Sequence, residues 1–228
     1  MHIWQKVVQN VEPTCFEDVV GHTLWDKAMD EKMAALDANK TWELVRLHEG
    51  KKAIGCKWVY KVKHNSDGSI SRYKARLAAK GYAQTHGTDY EETFAPVAKM
   101  ATVRAVITVA PSRGWVLHQM DVKIAFLHGK LQEEVYLDQP PDYEDMSHPD
   151  YVCRLRKALY GLKQAPRACH DKIAEYLVTI GFCMSDVDHS LYVCKSDKGN
   201  VVITIYVDDL IVGFDNEKEV EHVQSLLK

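Results

Sequence analysis

An α+β fold with hairpin-connected strands is what this sequence predicts, and three observations predict it. Helical stripes and strand alternations both occur, but not in the strict βα order of a dinucleotide-binding sheet. Residues 55–81 read as a β-hairpin, with a turn at Asp67-Gly68 between two alternating runs. Neither phosphate-cradling glycine motif, G-x-G-x-x-G or G-x-x-x-x-G-K, is present. At 228 residues, 46% of them hydrophobic, the chain suits one large domain or two small ones with a sizeable core. No repeat, low-complexity linker or obvious boundary divides it.

Taken in order, residues 23–39 predict a helix with Thr23 as cap and Asp26 three residues on. Trp25, Met29, Met33 and Leu36 form its apolar stripe. In the hairpin, Trp58, Tyr60 and Val62 alternate with Val59, Lys61 and Lys63. After the turn, Arg72, Lys74 and Arg76 project from one face because their spacing is two. A helix is expected over 97–110, with Met100, Val103, Ile107 and Ala110 on one side. Trp115–Met120 then alternates as a strand leading to Asp121, and 134–143 holds a short strand stopped by Pro140-Pro141. Pro166 opens a helix through Ile173, Leu177 and Ile180, which Gly181 closes. Strands follow at Leu191–Lys195 and Val201–Val207.

Charge is unevenly distributed. Residues 51–80 carry nine Lys/Arg and a single acid, Asp67, so this stretch is +8 in a chain of net −3. A solvated lysine-rich face is the plain explanation; an organised basic hairpin also suits phosphate, whose contacts come largely from Lys and Arg. No uninterrupted apolar run approaches the roughly 18–20 residues of a membrane span, and the N-terminus lacks a signal-peptide core. Six cysteines (15, 56, 153, 169, 183, 194) show no C-x-x-C spacing and read as reduced thiols of an intracellular protein. A zinc site fails on the same spacing.

"YVDDLIVG", 206–213, sets Asp208 and Asp209 between two strongly apolar runs. A turn is one reading, since Asp bonds its own backbone in turns. A cation site is the other, since an unpaired buried carboxylate is costly.

"YVDD", "MDVKIAFLHG" and "LYGLKQAPR" resemble the reverse transcriptases of Ty1/copia-type LTR retrotransposons. "GCKWVYKVK", "RYKARLAAKGYAQ" and "DYEETFAPVAKMATVRA" match the same family in the same order, from about Thr14 to the C-terminus. The resemblance implies a right-hand polymerase with an antiparallel palm sheet backed by helices. Residues 14–113 would be the lead helix and fingers, 114–130 the first palm segment, 131–165 the connection, and 166–228 the palm bearing "YVDD". It implies that Asp121, Asp208 and Asp209 bind two Mg²⁺ ions, with Mn²⁺ as a substitute, for transfer of dNTPs onto a primer 3′-OH. Lys74 and Arg76 would hold the triphosphate. Phe126 would exclude a ribose 2′-OH, unless it is simply a core residue beside Ile124 and Leu127. Gln164, Tyr206 and Val207 would meet the nucleotide.

The implied partners are an RNA or DNA template with its primer, and the rest of a retroelement polyprotein. The implied location is the cytoplasm, in retroelement particles, or the nucleus. A thumb and an RNase H domain are expected to follow in the family and are not in this sequence. Ile124 and the Cys169-His170 pair depart from the family pattern. A catalytically inactive fragment that only binds nucleic acid is therefore the alternative, and a palm-type nucleotide cyclase is a more distant one.

Overall fold

The computed structural model describes residues 12–121, 129–196, 199–206 and 209–215. Asp208, Val207, Phe126 and Ile124 lie outside the described residues. The chain divides into two compact units, 1–91 with 131–163, and 92–130 with 164–228. Because the chain passes between them three times, no single composition shift could have marked a boundary.

In the first unit, helix α1 (Thr23–Ala38) precedes β1 (Trp42–Arg46), β2 (Ala53–Ile54), β3 (Cys56–His64) and β4 (Ile70–Ala79). The predicted cap is corrected. Thr23 lies inside the helix, and the N-cap is His22, whose carbonyl accepts from Trp25 and Asp26 without any side-chain cap. The apolar stripe buries Trp25, Met29 and Leu36. β3 and β4 pair antiparallel, with Trp58 opposite Leu77 and Tyr60 opposite Ala75. Their apolar face is buried: Trp25 packs edge-on against Tyr60 (5.1 Å between centroids) and Tyr73 (4.7 Å). Trp58 donates its indole N–H to the Pro141 carbonyl (3.1 Å). Asn65–Ser69 closes the hairpin, with Gly68 at φ +82° and the Asp67 carboxylate accepting from the Ser69 amide.

A four-stranded sheet completes this unit, in the order β1, β7 (Tyr151–Leu155), β6 (Tyr136–Leu137), β2. Short runs with interspersed charges left β1 and β7 illegible in the sequence. Pairing makes sense of them, since Glu43 sits directly opposite Arg154 and forms an ion pair with it.

The second unit is built on a five-stranded antiparallel sheet, ordered β5 (Val116–Asp121), β11 (Asp209–Phe214), β10 (Gly199–Tyr206), β9 (Leu191–Ser196), β8 (Cys183–Met184). Helix α3 (Ala165–Thr179) backs it. Leu177 packs with Val201, Ile203, Ile205, Leu210, Val212 and Phe214, and Ile173 and Ile180 lie against the cluster. Each such side chain contributes roughly 1.5–3 kcal/mol by burial, so α3 and one sheet face form the unit's core.

Helix α2 (Met100–Ser112) belongs to this unit, although the resemblance grouped it with the N-terminal region. Its buried row is Val106 and Ala110, whereas Met100 and Ile107 are 60% and 51% exposed, against the expected stripe. A helix apolar on most sides leaves the choice of face to its neighbours. Here Trp115 donates to the Ala110 carbonyl (2.8 Å) and so sets how the helix leads into β5.

The "LYGLK" block is locked to the end of β4 by backbone contact. Ala79 donates to the Tyr160 carbonyl (2.8 Å), and a Cβ on Gly161 would meet the Ala79 carbonyl oxygen at 2.3 Å. Gly161 and Gly181 share φ +93°, but nothing lies within 4 Å of a Cβ at Gly181. Gly181→Ala therefore pays backbone strain of about 1–3 kcal/mol, whereas Gly161→Ala adds a collision with main chain. Thermal unfolding should show a clearly larger loss for Gly161→Ala. Equal losses would mean that the close approach relaxes freely.

Candidate active site

β10 and β11 form a hairpin joined across 207–208, with Tyr206 opposite Asp209. Across the next rung Asp209 lies opposite Asp121 of β5. Directly opposed residues in an antiparallel pair have Cα atoms roughly 4.5–5.5 Å apart. Two acidic residues distant in sequence are thus neighbours on adjacent strands.

Strand alternation decides which face carries them. Leu210, Val212 and Phe214 point to the α3 core, so Asp209 and Ile211 belong to the other face, with Tyr206 and Gln119. Tyr206 is 49% exposed and Asp209 half-buried. Gln119, diagonal to Asp209, donates its amide to Asp209 Oδ1 (3.3 Å). Sequence reading missed Gln119, which looked like one more position in an alternating strand.

Carboxylates opposed across a ladder repel, and such like-charge pairs are destabilising. Asp209, whose Oδ1 accepts from Gln119, offers oxygen of the kind that hard divalent cations take. No group of three metal-ligating side chains occurs among the described residues. The described part of the set is Asp121 and Asp209.

The basic hairpin lies in the first unit. Register places Lys61 opposite Lys74 and Lys63 opposite Arg72, with Arg76 two residues further on, so all five share one face. Arg72 is exposed, whereas Lys74 and Arg76 are half-buried. Lys61 pairs with Glu12 (3.0 Å), an exposed bridge worth little. Lys32 on α1 joins this positive region. Burial first, then the charges of Lys74 and Arg76, lowers its pKa to about 8. Helical periodicity marked Lys32 only as polar, and only the packing of α1 on β4 shows its company.

Gln164 is the N-cap of α3 and only 3% exposed. Cys169 and His170, the departures from the family pattern, are both buried on α3, and His170 Nε2 has no partner among the described residues. An orphaned buried nitrogen costs on the order of 1–3 kcal/mol.

A family model described as reverse transcriptase (RNA-dependent DNA polymerase) matches residues 39–228. The chain belongs to that family, and with it to the nucleotidyltransferases. It is 45% identical over 97% of its length to a retrovirus-related Pol polyprotein from transposon RE2 of Arabidopsis thaliana. It is 50% identical over 82% to the corresponding polyprotein from transposon RE1 of the same plant. Identity to that from transposon TNT 1-94 of Nicotiana tabacum is 41% over 90%. The chain spans only 13–16% of the length of these relatives. No helix among the described residues is long and apolar enough to cross a membrane.

The Lys32 environment predicts a pH effect. Its folded pKa, about 8, lies below the ordinary 10.5, so the unfolded chain binds more protons between these values. Its contribution to stability therefore rises as pH climbs from about 8 to 10.5 and is absent below. Denaturant unfolding of the natural chain should gain stability across that window relative to Lys32→Met. Parallel curves would place Lys32 in ordinary solvent.

Proposed function

We propose that this chain carries the polymerase site of a copia-type retrotransposon polyprotein, with the second unit as palm and the first as fingers. The observation that supports it best is the β5–β11 register, which sets Asp121 opposite Asp209 within a stretch that matches the reverse transcriptase family. Asp121, Asp208 and Asp209 would hold two Mg²⁺ ions, or Mn²⁺, which when bound activate the primer 3′-oxygen and stabilise charge on the triphosphate. That oxygen forms a bond to the α-phosphorus of a dNTP, and pyrophosphate leaves.

The chain's own residues supply placement. Gln119 orients Asp209 through its amide. Tyr206 and Val207 would border the bound nucleotide beside the aspartates, Phe126 would exclude a ribose 2′-OH, and Gln164 would act from the start of α3. Lys74 and Arg76, with Lys32 adding charge, would hold the triphosphate, and Arg72 and Lys63 would meet the phosphates of the template and primer. The five cations gathered on one face of β3 and β4 supply charge of the kind that binds phosphate, which supports an anionic ligand for that face.

Two measurements test this reading. Primer extension with Mg²⁺ on an oligo(dT)-primed RNA template should fall by more than about 100-fold in Asp209→Asn or Asp121→Asn, beyond the usual loss from an outer-shell partner. Without metal, Asp209→Asn should unfold at the same temperature as the natural chain or higher, since a repulsion is gone. Mg²⁺ should then raise the midpoint of the natural chain alone. Undiminished extension in both variants would overturn the site.

Primer–template affinity should also drop steeply with salt, and Arg72→Gln should reduce the slope of log K against log salt by about one. An unchanged slope would return that face to plain solvated surface.

A further inference from the structure

β10 runs past the end of β9, and Ile205 is where the support changes. β9 pairs with β10 as far as Leu191 opposite Thr204. Both backbone groups of the next residue point to the side where strand β9 has ended. Ile205 is fully buried, so neither group can turn to water, and each must find a partner. The Ile205 amide donates to the Ser190 carbonyl (2.8 Å), and the Ile205 carbonyl accepts from the Ala98 amide (3.2 Å). One residue further on, Tyr206 begins the closing pair of the hairpin with Asp209.

One buried carboxylate holds Ser190 directly and, beside Ala98, holds Lys99. Asp188 Oδ1 accepts from the Ser190 amide (3.1 Å) and the Ser190 hydroxyl (2.7 Å). Its Oδ2 accepts from the Lys99 amide (3.2 Å) and the Thr102 hydroxyl. Lys99 is the N-cap of α2 and has no side-chain cap of its own, so Asp188 caps that helix from another segment, where a negative charge is favoured. Burial pushes the carboxyl's pKa up, but the bonds from Thr102, Ser190 and Lys99 outweigh it and bring it to about 2. It is therefore ionised at any working pH, with both oxygens engaged.

We infer that Asp188 is a positioning residue for the Tyr206–Asp209 hairpin, fixing the Ser190 and Ala98 segments that grip Ile205 at its root. The inference rests on the proposed metal role of Asp208 and Asp209 for its catalytic meaning. In this role Asp188 acts through Ile205 rather than by touching metal or substrate. An Asn at this position has one accepting oxygen in place of two, so one arm of the clamp is released.

The test uses the full chain, with amide hydrogen exchange at Ile205 and Tyr206 and Mn²⁺ binding followed by electron paramagnetic resonance. Asp188→Asn should speed exchange at Ile205 and weaken Mn²⁺ binding about tenfold, the lower end for outer-shell partners of a metal site. Thr102→Val should do the same more mildly, and Thr102→Ser, which keeps the hydroxyl, should behave like the natural chain. This rescue separates positioning from mere loss of packing and decides the matter if Asp188→Asn fails to fold. Absence of Mn²⁺ binding in the natural chain would sink the polymerase reading, while the exchange measurement would still judge the clamp. Ile205 exchange and Mn²⁺ affinity unchanged in folded Asp188→Asn, or in Thr102→Val, would overturn the inference.

Discussion

The pairing of β5 with β11 is the constraint on which the second unit depends. Asp209 faces Asp121 only because Leu210 meets Met120 and Val212 meets His118 in the same register. A slip of one residue would send Leu210, Val212 and Phe214 to the opposite face and the aspartate into the α3 core. Burial of those three side chains against Leu177 and Ile203 thus fixes the register, and the register sets Asp209 opposite Asp121. This explains why such strongly apolar runs flank the "YVDD" stretch.

The first unit solves a parallel problem with opposite charge. One face of the β3–β4 hairpin is buried by Trp25, Tyr60 and Tyr73, which leaves the other free to collect Lys61, Lys63, Arg72, Lys74 and Arg76. Packing on one side supports repulsion on the other. Lys32 shows the same economy, as burial against β4 and the neighbouring cations reduce its hold on a proton.

Membership of the reverse transcriptase family covers both features together, since the Asp121–Asp209 register and the basic hairpin lie within residues 39–228. The departures from the family pattern fall elsewhere. Cys169 and His170 are interior residues of α3, and the His170 nitrogen, without a partner among the described residues, is a matter of stability.

The sequence by itself determined much of this protein. Period-two alternation exposed the basic hairpin and the strand leading to Asp121, because a half-buried strand writes its faces into every second residue, and a continuous apolar run marked the strand before "YVDD". Blocks such as "MDVKIAFLHG" and "LYGLKQAPR" carried the family, since their backbone and side-chain demands are local. Tertiary structure alone decided the rest. β1 and β7 became strands through cross-strand partners such as Glu43 and Arg154, which no local pattern displays. The buried face of α2 was chosen by its neighbours, because its own sequence is apolar almost all round. The meeting of Asp121 with Asp209, and the bonds from Lys99, Thr102 and Ser190 that converge on Asp188, join segments distant in sequence. Such contacts form only when burial of the core brings those segments together.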